Sequence, residues 1–152
     1  MDVYSAISDI PPQKFDVIIS HHCLEHVPYP LQALSELRSY LTDTGKLVIV
    51  IPIDDWRVQR RINTNDRDHH LHTWTPRLLN NTLIEAGYRE QEIRILTHAW
   101  FRGWHKLYRR VPIHIFDGLC MIGSALRHKR QLLAVATKDT SVAALPNQSC
   151  PS

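Results

Sequence analysis

The chain has 152 residues, of which 43% are hydrophobic and 22% charged; that make-up suits one folded domain and excludes disordered and collagen-like classes. Lys plus Arg number 18 against 15 Asp plus Glu, and the net charge of +3 is too small to favour nucleic acid or an anionic membrane by itself. Cys23, Cys120 and Cys150 have no paired spacing, so no disulfide framework is expected and a reducing, cytoplasmic setting is the default.

The N-terminus has no basic stretch leading into an apolar one, so no secretory leader is expected. Pro11-Pro12-Gln13-Lys14 signals a turn. Phe15–Ser20 is a short, near-continuous apolar run, which predicts a strand buried on both faces. Pro30 opens a helix, with Leu31, Leu34, Leu37 and Leu41 on one face. Thr42-Asp43-Thr44-Gly45 stops it, and Lys46–Pro52 predicts a second buried strand. Residues 53–74 have no clean period and read as a long polar loop of functional type. Thr75 and Pro76 form a helix start. Leu78, Leu79, Leu83 and Ile84 give that helix its apolar stripe, and Gly87 ends it in a left-handed conformation. A third strand is expected over Glu92–His98. Residues 99–130 form an excursion, helical from Ile113 to Leu126, and Gln131–Thr137 is a fourth strand. The unit thus runs over residues 1–138, with 139–152 as a fraying tail. Strands alternating with helices predict an α/β layer fold with a mostly parallel sheet and helices on its faces.

The apolar segment Val111–Leu126 is about sixteen residues long, short of the roughly twenty a spanning helix needs. A buried or substrate-covering helix is the expectation. Flanking Lys106, Arg109, Arg110, Arg127, Lys129 and Arg130 make peripheral membrane contact the alternative.

The run Phe15-Asp16-Val17-Ile18-Ile19-Ser20-His21-His22-Cys23-Leu24-Glu25-His26-Val27-Pro28 resembles the fourth-strand motif of class I S-adenosylmethionine-dependent methyltransferases. The helix to Leu41, the Gly45 turn and the strand ending at Pro52 resemble the family's next block. His72-Thr73-Trp74-Thr75-Pro76 and the helix to Gly87-Tyr88 resemble the block before the sixth strand, and the final strand matches an antiparallel seventh. The resemblance covers about residues 2–138. It implies a partial Rossmann-like sheet in the order 4-5-7-6, its last strand antiparallel. It also implies S-adenosylmethionine as cofactor and methyl transfer to a small-molecule or glycan acceptor. No glycine precedes Gly45. The first strand, its Gly-rich turn and the acidic residue that closes the second strand in the family have no counterpart, so a C-terminal fragment, a truncated product or a degenerate relative is expected. A degenerate domain would act by binding a partner. Without a neighbouring strand, Phe15–Ser20 would be an apolar edge and a route to self-association. Asp2, Ser5, Ser8 and Asp9 make residues 1–9 a poor cover for it.

Ligands in open α/β sheets sit beyond the carboxyl ends of the strands. The resemblance therefore implies Ser20, His21 and His22 as cofactor-binding residues, with Ser20 and His21 beside the methionine moiety and sulfonium. His21 or His26 would be the catalytic base for a protonated acceptor. A structural role for His26, its ring bonded to nearby backbone, is the alternative, and Glu25 is expected at a helix terminus or in solvent. His22-Cys23-Leu24-Glu25-His26 also matches H-x-x-E-H, an inverted zinc-peptidase pattern. Pro28 and Pro30 oppose the long helix that such a hydrolase needs. In Asp68-His69-His70-Leu71-His72, only His70 and His72 are spaced to share an ion, and a polar pocket cover is the preferred reading. No metal ligand set is assigned. The aromatic-basic run Trp100–Arg110 is read as an accessory cover on the substrate side, with base stacking or membrane packing as alternatives.

Overall fold

The computed structural model describes residues 6–53, 68–97, 104–126 and 129–141. Asp54–Arg67 of the polar loop, Trp100–Gly103 of the aromatic-basic run, His98, Arg127 and the tail beyond residue 141, with Cys150, lie outside the described residues. Four strands and four helices follow in chain order: β1 (Phe15–His21), α1 (Pro30–Tyr40), β2 (Leu41–Ile53), α2 (Pro76–Glu85), β3 (Tyr88–Leu96), α3 (Trp104–Tyr108), α4 (Ile113–Leu126) and β4 (Arg130–Lys138). Short 3-10 turns occupy Ile7–Asp9 and Leu24–His26.

The sheet order is β1-β2-β4-β3. β1 pairs parallel with β2, and β4 runs antiparallel to both β2 and β3. This is the expected 4-5-7-6 arrangement with its last strand reversed. Three strands point one way, yet two of the three pairings are antiparallel. The mostly parallel sheet inferred from strand–helix alternation is corrected accordingly, because β4 inserts between β2 and β3.

Burial is one-sided. Leu47, Ile49 and Ile51 of β2 and Leu132, Ala134 and Ala136 of β4 point into one core with Leu34, Leu79, Leu83 and Tyr88. The alternate residues Val48, Val50, Leu133 and Val135 are only partly covered. Strands buried on both faces were expected, but the described residues alternate as a sheet with one packed face does. β1 departs furthest: Val17 is 52% and Ile19 69% exposed. Residues 7–9 do not cover that edge, since the Tyr40 hydroxyl donates to the carbonyls of Ile7 and Ile10 and places this lead-in by α1.

The helices follow their sequence signals. Thr75 Oγ1 accepts from the Leu78 amide at 3.1 Å and caps α2, satisfying one of the free first-turn donors. The buried stripes are narrower than predicted. α1 buries Leu34 and Arg38 while Leu31 is exposed, and α2 buries Leu79 and Leu83 while Leu78 and Ile84 face outward. α4 buries Phe116, Cys120 and Ser124 but exposes Ile113, Ile115, Leu119, Met121, Ile122 and Leu126, so of the expected buried or substrate-covering helix only the buried form is corrected. The Tyr108 and Phe116 rings meet edge-on at 5.2 Å and join α3 to α4. Among the described residues, no helix is long and apolar enough to cross a membrane.

Strand limits also shift. β2 begins at Leu41 rather than Lys46, because Phe15 pairs with Leu41 and Val17 with Lys46. Thr42–Gly45 therefore bulges out within the strand. A Cβ on Gly45 would meet the Phe15 carbonyl at 2.9 Å. β3 starts at Tyr88, directly after Gly87, rather than at Glu92.

Gly87 has φ +81°, as a helix-ending glycine should. A Cβ there would lie 2.9 Å from Arg38 Nε. The Arg38 guanidinium is buried and donates through Nη2 to the Asp139 carbonyl at 2.8 Å. The Asp139 amide donates to the Gly87 carbonyl at 3.0 Å, and the Tyr88 hydroxyl to the Leu34 carbonyl at 2.9 Å. Burial pushes the Tyr88 phenol well above its ordinary range, against the opposing pull of Arg38. Gly87→Ala is therefore expected to cost about 1–3 kcal/mol, from left-handed strain and displacement of Arg38. At about 2–4 °C per kcal/mol for a chain of this size, thermal melts resolve the loss. Gly118→Ala, where an added Cβ meets nothing within 4 Å, is the control and should match or exceed the parent. Equal melting of Gly87→Ala and the parent would contradict this account.

Candidate functional site

The site grows from the carboxyl end of β1. Ser20 pairs with Ile49 and His21 with Val50, so both sit where the parallel pair ends. The His22 amide donates to the Val50 carbonyl at 2.8 Å. The chain then leaves the sheet abruptly, with His22 at φ +50°. Such a backbone is uncommon for a residue with a side chain and often marks a functional turn. The His21 and His22 rings stack with centroids 4.5 Å apart. His22 Nε2 is buried and has no hydrogen-bond partner.

The next turn carries Glu25 and His26. It is a 3-10 turn of three residues, Leu24–His26, not the long helix that an H-x-x-E-H hydrolase needs. Glu25 is fully buried, at 0% exposure, which rules out the solvent position expected as one alternative. The imidazole nitrogens His22 Nδ1 and His26 Nε2 stand 3.7 and 3.9 Å from its Oε1. Those distances exceed a hydrogen bond, and neither carboxylate oxygen has a hydrogen-bond partner.

A second segment, residues 68–75, folds over this turn. The Leu71 and His72 amides donate to the Glu25 carbonyl at 2.8 and 3.2 Å. His72 Nε2 donates to the Val27 carbonyl at 2.9 Å. His26 Nδ1 donates to the His69 carbonyl at 3.3 Å, the backbone bond foreseen for a structural His26. His69 is itself left-handed, with φ +43°. The His70 ring meets His26 edge-on at 5.0 Å. His72 turns away towards the buried Trp74, with centroids 6.1 Å apart. The pairing of His70 with His72 on one ion is thus corrected, since the two side chains serve different neighbours.

Ser20, His21, His22 and His26 are therefore brought into one region, while Glu25 and the backbone of His69–His72 are participants that local sequence reading did not place. Trp104, His105, Tyr108 and Arg109, from the described part of the aromatic-basic run, line a separate open pocket.

The methyltransferase domain model matches residues 2–93, more than half of the chain. The chain belongs to this methyltransferase family. Its class is the S-adenosylmethionine-dependent one, whose complete domain takes that molecule as cofactor. Three solved structures share the fold. A Bacillus halodurans protein assigned as a methyltransferase aligns with a TM-score of 0.57 at 17% identity, over 90% of this chain and 70% of its own. A Galdieria sulphuraria protein assigned as a sarcosine dimethylglycine methyltransferase gives 0.59 at 16%, over 90% and 59%. Geranyl diphosphate C-methyltransferase from Streptomyces coelicolor, crystallised with Mg2+, geranyl diphosphate and S-adenosyl-L-homocysteine, gives 0.56 at 13%, over 88% and 52%. The chain thus spans 52% to 70% of these structures. No curated protein sequence matches it. At this strand end the buried His22 Nε2, beside Ser20 and His21, lacks a hydrogen-bond partner, the kind of orphaned polar atom that a bound cofactor would satisfy.

The contact between the two segments is testable. His72→Ala removes one hydrogen bond and is expected to cost about 1 kcal/mol. Amide exchange at Leu71 and His72 should accelerate, while exchange in β4 stays unchanged. Equal acceleration in β4 would mean that His72 supports the whole sheet.

Proposed function

We propose that this domain transfers a methyl group from S-adenosylmethionine to a small-molecule or glycan acceptor in the cytoplasm. The observation that carries the reading is the exit of Ser20 and His21 at the carboxyl end of β1 beside β2, where open α/β sheets receive ligands. The cofactor supplies an electrophilic methyl carbon. Ser20 and His21 would lie beside its methionine moiety and sulfonium, with His22 at the same strand end. Alignment of acceptor and methyl carbon is the main service such a site performs. For a hydroxyl acceptor, His21 would take the proton, with His26 as the second candidate. Among the described residues Cys23 and Cys120 form no disulfide, which suits a reducing compartment.

A second reading has its own observation. Among the described residues β1 is an edge strand with Val17 and Ile19 exposed, so a domain without catalysis would bind a partner strand there. Self-association through that edge is expected at micromolar concentration. Light scattering that shows a monodisperse monomer, with slow amide exchange throughout Phe15–Ser20, would remove this reading.

The 152 residues hold no glycine before Gly45. The 152-residue chain is expected to bind S-adenosylhomocysteine weakly, with a dissociation constant of about a millimolar, or ~4 kcal/mol. Amide resonances of Ser20, His21 and His22 should shift during the titration. Shifts confined to other elements would refute the assignment, and a low-micromolar constant would refute the expected weakness. Wherever turnover is measurable, His21→Ala should lower it about a hundredfold to ten-thousandfold. Turnover within about twofold of the parent would assign His21 a structural role.

A further inference from the structure

We infer that Glu25, His26 and His70 form a binding site for a divalent transition-metal ion of the zinc class. One ligand atom from each residue lies within 4.8 Å of the others, so small side-chain adjustments bring all three to one ion at ordinary bond lengths near 2 Å. Two imidazoles and one carboxylate select zinc-like ions over magnesium or calcium, which prefer oxygen ligands.

Proximity is only the first observation. The second is the state of Glu25. Its side chain is fully buried, yet both carboxylate oxygens lack a hydrogen-bond partner. Burying an ionised carboxylate costs several kcal/mol unless charge and hydrogen bonds compensate it. The imidazole nitrogens at 3.7 and 3.9 Å stand too far off to supply those bonds, whereas an ion between Glu25, His26 and His70 would supply both.

The surrounding bonds have the form of an outer shell. A carbonyl can only accept, so His26 Nδ1 carries the proton in its bond to the His69 carbonyl. That tautomer leaves the Nε2 lone pair on the side of Glu25. Metal-binding histidines commonly fix their tautomer by such a bond. The Glu25 carbonyl in turn holds the Leu71 and His72 amides, which fixes the backbone that carries His70. The site thus joins the turn after β1 to residues 68–75, with three protein ligands and a further position for water. Glu25 serves here as a ligand, unlike in the hydrolase pattern, where the glutamate is the base.

The test uses the full 152-residue chain, freed of metal by chelation and titrated with Zn2+ by calorimetry and Co2+ by absorbance. One equivalent should bind, and Co2+ should give a visible band of low-symmetry coordination. His70→Ala should weaken binding by more than the about tenfold typical of a lost outer-shell partner. His105→Ala, on α3, should leave it unchanged. His70 is partly exposed, so its replacement leaves the core intact, and His70→Cys gives an independent check. A thiolate ligand at that position adds a near-ultraviolet charge-transfer band to the Co2+ spectrum that the parent lacks. Absence of saturable binding, binding indifferent to His70→Ala, or no new band in His70→Cys would overturn the site. The titration involves no methyl transfer, so its failure leaves the proposed activity standing.

Discussion

The organisation of the candidate site depends on one unfavourable act, the burial of the Glu25 carboxylate. Taking an ionised carboxylate out of water is expensive, and the surrounding groups must repay it. Around Glu25 the chain assembles two imidazole neighbours, a short 3-10 turn and a crossing segment tied by two amides to the Glu25 carbonyl. Two left-handed histidines, His22 and His69, flank this point on the two segments that meet there. Backbone strain of this kind costs about 1–3 kcal/mol per residue and persists only where surrounding structure demands it. Here both strained residues serve the same meeting of chains.

The supporting scaffold is plainer. A one-sided apolar core between the sheet and helices α1 and α2 fixes β1 against β2 and thereby sets where Ser20 and His21 emerge. The Gly87 corner locks the far side. Arg38, Tyr88 and Asp139 join α1, β3 and the end of β4 through bonds to backbone carbonyls. Asp139 is held below the usual carboxylate range, first by the Ser141 hydroxyl and then by the Ser141 amide. The strand order and reversal place this arrangement in the methyltransferase fold; the acceptor must be recognised by side chains that the fold alone does not specify.

Much of this was legible in the residues. Apolar runs located β1 and β2, Thr75-Pro76 marked the start of α2, and Gly87 marked its end, because each signal is local. Burial of β1 was misjudged for a related reason: Val17, Ile18 and Ile19 report hydrophobicity but not whether both faces are covered. β3 began earlier than its apolar centre, since Tyr88 and Arg89 pair with Lys138 and Thr137 far along the chain. The site was half legible. Ser20, His21 and His22 follow from the strand-end rule, whereas His26 meets His69 across 43 positions. No periodicity encodes that contact. The histidine cluster itself was the available clue, but its members divide between two neighbours once Leu71 and His72 are tied to Glu25.

The position of β4 has a bearing on how the chain acquires its shape. This strand follows both β2 and β3 in the chain yet lies between them, pairing with both. During synthesis β2 can find β1, but the ladder between β2 and β3 has a gap until Arg130–Lys138 has emerged. Until then β3 has no sheet neighbour, and β2 shows one bare edge rich in Val and Ile. Sheets closed by such distant pairings form slowly, and their unfinished edges invite wrong partners. The nascent sheet is therefore vulnerable between the emergence of β3 and the arrival of the single strand that joins it to β2.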